Sequence, residues 1–200
     1  MSSGLPATAP ELHGEFVVLR PLRIEDAALT HQWRLSDRAQ HLNGAAASVE
    51  DQARWIAARP AGEFNYVIQL KDGAPIGMLS LVNIDMDNRR AESARFLIGD
   101  ETAARGVPAA VEAMKLLYEL AFDRLGLERV HGIVAEPNHL MVKWQKFLGM
   151  KEEGRFRRHF LMDGEFQDAI ALSLLADEHR AVARLRMLGL IKLGRSGHPA

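Results

Sequence analysis

The chain has 200 residues, 48% hydrophobic and 26% charged, which suits one soluble globular domain with a sizeable core and leaves two cramped. Its formal net charge of −1 supplies no global field to recruit nucleic acid or to act as a sink for acidic substrates. There is no cysteine, so a disulfide framework, a thiolate zinc site and a Cys nucleophile are all excluded; a reducing cytoplasm is the expected compartment.

Met1 to Leu12 carries neither a basic n-region nor an apolar h-region and reads as a disordered lead-in rather than a signal peptide. No run approaches the roughly 20 apolar residues that span a bilayer. Phe16 to Leu19 is a β-branched and aromatic strand stopped near Pro21. Glu25–Leu35 and Val49–Ala58 carry helical spacing and are separated by the Asn43-Gly44 breaker. Asn65–Leu70 and Pro75–Ile84 form a hairpin around Asp72-Gly73, and a turn at Asp87-Asn88 leads into a strand over Ala91–Ile98. The longest helix is expected over Pro108–Leu125, stopped by Gly126. Arg129–Ala135 reads as a buried strand, His139–Leu148 as a short helix, and Arg155–Phe160 with Phe166–Leu174 as a second hairpin. The order predicts an α/β sandwich, a mixed sheet with helices on its faces.

Two stretches carry chemistry. Arg105-Gly106-Val107-Pro108-Ala109-Ala110 joins a strand to the long helix with small residues that let a ligand approach the backbone. First-turn N–H groups and the helix dipole there suit a diphosphate, although an ordinary loop with Pro at a helix start would read the same way. Ala135-Glu136-Pro137-Asn138 follows a buried strand and opens a helix ending Lys146-Phe147-Leu148-Gly149, with Asp163-Gly164-Glu165 further on.

In this order and spacing, together with Leu19-Arg20-Pro21-Leu22, Ile76-Gly77 and Arg90-Ala91-Glu92, the chain resembles the GNAT N-acetyltransferases. The resemblance runs from Phe16 to Glu178, toward the branch holding ribosomal-protein N-terminal, spermidine and amino-sugar nucleotide acetyltransferases. It implies a GNAT-type three-layer sandwich over residues 13–178 and a direct transfer of acetyl from acetyl-CoA to an amine, with no metal. Arg105, Gly106, Val107, Ala109 and Ala110 would cradle the cofactor's pyrophosphate. Leu97, Ile98 and Gly99 would hold the pantetheine arm as a pseudo-strand. Asn138 would meet the thioester end and Lys143 a phosphate, although Lys143 alone reads as a solvated helix face. Glu92 would be the base.

Three departures accompany the resemblance. Pro108 stands where a Gly is usual and removes one backbone donor. Gln145 stands where many relatives place the Tyr that protonates the thiolate; this leaves water, His139, His159 and Tyr118 as donors. Glu92 lies a few residues further from the phosphate loop than usual, an excess that a β-bulge would absorb in part.

For the acceptor, Arg155, Arg157 and His159 on one strand face favour a phosphate-bearing amine such as an amino-sugar nucleotide over a polyamine. A peptide N-terminus is the next alternative, and a non-catalytic acyl-CoA-binding domain is the alternative of a different class. Residues 179–200 form a basic extension, interrupted as a helix by Gly189 and Gly194, that is expected to pack on its own domain or on a second copy in a homodimer rather than on a membrane or nucleic acid.

Overall fold

A computed structural model describes residues 5–6, 8–42, 44–60 and 62–196. Met1–Gly4 and Ala7 of the expected lead-in, Asn43 of the expected breaker and residues 197–200 of the tail lie outside the described residues. The lead-in is shorter than the sequence suggests. Leu12–His13 forms strand β1, paired antiparallel with β2 (Val17–Pro21), and Leu12 is only 1% exposed because its side chain closes the edge of the core.

Helices α1 (Ala27–Arg34) and α2 (Val49–Ala57) follow β2. Ser48 caps α2 by accepting the Asp51 N–H at 3.1 Å, the oxygen cap that a first helical turn requires. Strands β3 (Phe64–Leu70), β4 (Pro75–Asp85) and β5 (Arg90–Ile98) make an antiparallel meander. Its first turn uses Gly73 at φ +97°, a conformation that side-chain-bearing residues resist.

Helix α3 (Ala109–Glu119) runs on through a wider turn at Leu120–Arg124 and carries the chain back to β6 (Arg129–Ala135), parallel to β5. A parallel pair needs such a crossover. Helix α4 (His139–Phe147) then leads to the hairpin of β7 (Lys151–Met162) and β8 (Glu165–Leu175). The eight strands lie in the order β1-β2-β3-β4-β5-β6-β8-β7. No helix among the described residues is long and apolar enough to cross a membrane.

The chain ends in a short helix α5 (Ala176–Glu178), a wider turn at His179–Ala183 and helix α6 (Arg184–Ser196). Contrary to the sequence expectation, Gly189 and Gly194 do not interrupt α6. Packing overrides their low helix propensity: Met187 and Ile191 are buried, and Gly194 lies so close to Pro108 that a Cβ would fall 2.9 Å from the proline ring. Arg184, at the other end of α6, reaches Glu119 and Asp123 beyond the end of α3. The two helices therefore run antiparallel.

The sheet has unequal faces. Under α3, α4 and α6 lies the main core, with Tyr66, Ile68, Leu79, Leu117 and Phe122 at its centre. A buried carboxylate there, Glu112 of α3, accepts the backbone N–H groups of Glu15, Phe16 and Val17 at 2.7, 2.7 and 2.8 Å. The opposite face, under α1 and α2, has a small core of Trp33, Ala39, Val67, Met78 and Leu97.

Candidate active site

Strands β5 and β6 pair over three registers only: Arg90 with Arg129, Ala91 with Val130, and Glu92 with His131. Past Glu92 they part. The cause is local to β5: Met78 pairs with Leu97 and Ser80 with Ala94, so Arg95 and Phe96 together oppose Leu79 alone. This is a β-bulge, with Arg95 at φ +57°, and a bulge bends and twists the strand that carries it. Beyond the last shared register β5 stays with β4, while β6 stays with β8 over all seven of its residues.

A cavity of about 470 Å³ occupies the split. Its walls include the β5 segment from Glu92 to Phe96, Asn138, Met141 and Gln145 near α4, Met114 and Leu117 of α3, and Arg34, Trp55 and Glu63 on the opposite face. Residues from both faces line one space. The cavity thus passes through the sheet where the strands separate, and two ligands can meet there from opposite sides.

Glu92 sits at the apex of the split. Asn83 donates its side-chain amide to Glu92 Oε2 at 2.8 Å, and His131 Nε2 lies 4.0 Å from the same oxygen. Burial lowers the His131 imidazole pKa below its ordinary value against the pull of Glu92, which favours its neutral form. Asn138, on the cavity wall, caps α4 by accepting the Met141 N–H at 3.2 Å, which engages its side-chain oxygen. Gln145 is 5% exposed, and its Oε1 has no hydrogen-bond partner among the described residues.

Other expected site residues lie outside this lining. Leu97 packs among Trp33, Val67 and Met78, Ile98 enters the main core, and Trp33 covers Gly99 so closely that a Cβ there would fall 2.2 Å from the indole. Lys143 is exposed on α4. The segment from Arg105 to Ala110 forms the approach to α3, with Gly106 at φ +77° and no side-chain cap on the helix. The backbone ladder starts at the Glu112 N–H, which donates to Pro108 at 3.0 Å, so the N–H groups of Ala109 and Ala110 precede it. Met114, on the cavity wall, follows Ala109 along α3 by roughly 7.5 Å.

Among the candidate proton donors, Tyr118 is buried behind the cavity wall, and burial raises its hydroxyl pKa even though Ser93 pulls the other way. His139 is exposed, and His159 sits between the rings of Phe156 and Phe160 on the hairpin. None of the three lines the cavity. The basic strand face expected to select a phosphate is partly neutralised: Arg155 donates to both Glu136 and Asp168 at 2.7 Å.

Sequence reasoning missed Arg34, Trp55, Glu63, Asn83, Arg95 and His131. No local sequence pattern marks them, because they reach one space only when the fold brings their elements together.

A family model described as Acetyltransferase (GNAT) domain matches residues 17–151. Spermidine N(1)-acetyltransferase of Escherichia coli K12 is 29% identical over 119 residues, 60% of this chain and 62% of its own length. A protein of Bacillus subtilis provisionally named as the ribosomal N-acetyltransferase YdaF is 35% identical over 109 residues, 54% of this chain and 58% of its own. The chain therefore matches less than two thirds of the length of either relative. A crystal structure of a GCN5-related N-acetyltransferase from Brucella melitensis superposes with a TM-score of 0.78 at 23% identity, covering 90% of this chain and 85% of that one.

Proposed function

The chain belongs to the GNAT acetyltransferase family, and on that footing we propose that it transfers an acetyl group from acetyl-CoA to a primary amine by direct attack in a ternary complex. The observation that carries this reading is the cavity through the split sheet, lined from both faces and bordered by the β5 backbone beyond its last β6 pair. It lets a thioester and an amine approach each other from opposite sides, and holding reactants together removes much of the entropic barrier.

The residues suit the thioester substrate. The approach to α3, with its first-turn N–H groups ahead of the helical ladder, suits the diphosphate, and Asn138 on the cavity wall suits the thioester end. The β5 backbone from Ser93 to Phe96 supplies donors that can polarise the carbonyl oxygen.

The amine nitrogen attacks the thioester carbonyl carbon, and the C–S bond breaks as the C–N bond remains. One N–H proton passes to the Glu92 carboxylate, which Asn83 orients. The thiolate takes its proton from water, and the hydroxide left is neutralised by the proton that Glu92 returns to solvent; Gln145, on the cavity wall, has no acidic proton to give. A primary amine is common to the activities that the two relatives' names describe. An amino-sugar nucleotide, a finer expectation from the sequence, has no counterpart in those names.

The test is release of free thiol from acetyl-CoA in the presence of a panel of amines. Amine-dependent release is expected. Tight acetyl-CoA binding without release by any amine would make the chain a binding domain instead.

A further inference from the structure

His179 opens the wider turn that joins the short helix α5 to α6, and it is 0% exposed. Its ring centroid lies 6.1 Å from that of Tyr118 on α3 and 4.9 Å from that of Phe122 in the turn that follows α3. Neither ring nitrogen has a hydrogen-bond partner among the described residues. A neutral imidazole carries one N–H, and burying it unpaired already costs stability; an imidazolium carries two, with a full charge. The place beside these two aromatic rings therefore tolerates the neutral ring and rejects the charged one.

The charged groups around it do not reverse that preference. Burial lowers the His179 pKa most; Asp123 and Glu119 raise it, while Arg184 and Arg180 lower it, and the net value lies below the ordinary one. Both carboxylates are already engaged: Lys115 donates to Glu119 at 2.8 Å, and Arg184 stands 3.5 Å from Glu119 and 3.8 Å from Asp123. Tyr118 stays protonated, because burial raises its hydroxyl pKa. The stability that follows from the His179 shift is complete above about pH 6.5, the ordinary histidine value. It is lost as pH falls from there toward the lower value of the folded chain.

The turn also seats α6. Ala183, at its end, packs against Gly149 so closely that a Cβ on the glycine would fall 2.7 Å from the Ala183 methyl, and Met187 and Ile191 continue the buried stripe. Further along, Gly194 lies against Pro108 at the start of α3. We propose that His179 is an acid-sensitive latch: its neutral ring seats α6 on α3, and a proton on that ring frees α6 and withdraws its support from the start of α3. The effect on the cofactor rests on the acetyl-transfer reading, which puts the coenzyme A diphosphate beside Pro108.

The test is hydrogen exchange of the α6 amides in the ligand-free chain at pH 7.5 and 5.5, expressed as protection relative to an unstructured peptide at the same pH. Protection in α6 is expected to fall about five- to tenfold, and about tenfold is the most that one histidine leaving this site supplies at pH 5.5. His179→Phe, which keeps a ring and cannot titrate, should hold the change within about twofold. His179→Gln gives the same comparison should phenylalanine not fit. In calorimetry, coenzyme A binding by the parent should weaken more over this pH range than binding by His179→Phe. That difference cancels the titration of His131 and of the coenzyme's phosphates, which parent and variant share. Protection that does not fall in the parent, or that falls equally in the variants, overturns the latch. Equal weakening of coenzyme A binding in parent and variant overturns its link to the cofactor. Exchange is read without ligand, so a parent that fails to bind coenzyme A at pH 7.5 sinks the acetyl-transfer reading while the exchange result still decides the latch.

Discussion

The two faces of the sheet are built on different principles. Under α3, α4 and α6 the contacts are almost all apolar, and the buried side chains of Tyr66, Phe64 and Leu117 fill the space. Under α1 and α2 a short apolar cluster around Trp33 gives way to polar pairs: Ser80 with Asn65, Arg95 with Glu63, and Gln52 with Thr30. Close packing penalises change in volume, whereas polar pairs at a cavity wall can be exchanged with little effect on the fold. The first face holds the molecule together, and the second is free to set what the cavity accepts.

The sharpest test of that division is the buried carboxylate in the apolar face. Glu112 accepts three backbone N–H groups from the segment that leads into β2, so it ties α3 to the start of the sheet. In Glu112→Gln one acceptor oxygen becomes an NH₂ group facing backbone donors, leaving buried N–H groups unsatisfied. Losses of this kind run at about 3–5 kcal/mol. Denaturant unfolding of Glu112→Gln should show a decrease of that order. A change below about 1 kcal/mol would mean that water replaces the carboxylate and that the first turn of the sheet is less anchored than it looks.

Glu92 tests the other half of the comparison. It lines the split and belongs to neither core cluster. Glu92→Gln keeps the shape and the contact with Asn83 but loses the proton acceptor. The expected result is a fall in kcat/KM of about 100-fold, equivalent to about 2.7 kcal/mol, with thermal stability and acetyl-CoA affinity unchanged. Unchanged kcat/KM and an unchanged pH–rate profile would make Glu92 a structural cross-strand residue.

Much of the fold could be read from local signals. The Asp72-Gly73 and Asp163-Gly164 turns and the Gly126 stop follow from backbone preferences that neighbouring residues express, whereas a bulge in β5 was suggested only by the extra spacing between Glu92 and the loop before α3. The positions of Glu92 in a strand and of Asn138 at a helix start are local and were legible too, while the roles proposed for them came from the family resemblance. Arg34, Trp55, Glu63 and Arg95 were not. They come from three stretches of chain, and only the folding of α1 and α2 over the bulged strand brings them to one wall. Glu112 reads in sequence as an ordinary polar helix residue, and its role depends on a segment almost a hundred positions earlier.

The C-terminal helix offers the smallest effect and the finest distinction between the faces. Both of its interior glycines lower intrinsic helix propensity by roughly 1 kcal/mol relative to alanine, so Ala would stabilise either position if propensity alone decided. Their surroundings differ. A Cβ at Gly189 would meet nothing within 4 Å, whereas one at Gly194 would fall 2.9, 3.0 and 3.1 Å from the Cγ, Cδ and Cβ of Pro108. Gly189→Ala should therefore raise stability by about 0.5–1 kcal/mol, visible as a small rise in Tm. Gly194→Ala should give no gain, because Pro108 or the end of α6 must shift by a few tenths of an ångström to admit the methyl group. Pro108 opens α3, next to the backbone proposed to hold the diphosphate, so Gly194→Ala should also weaken acetyl-CoA binding slightly in calorimetry, by two- to threefold or less. Gly189→Ala should leave it untouched. Equal stabilisation by both substitutions would show that α6 does not press on Pro108, and that the apolar face ends before the start of α3.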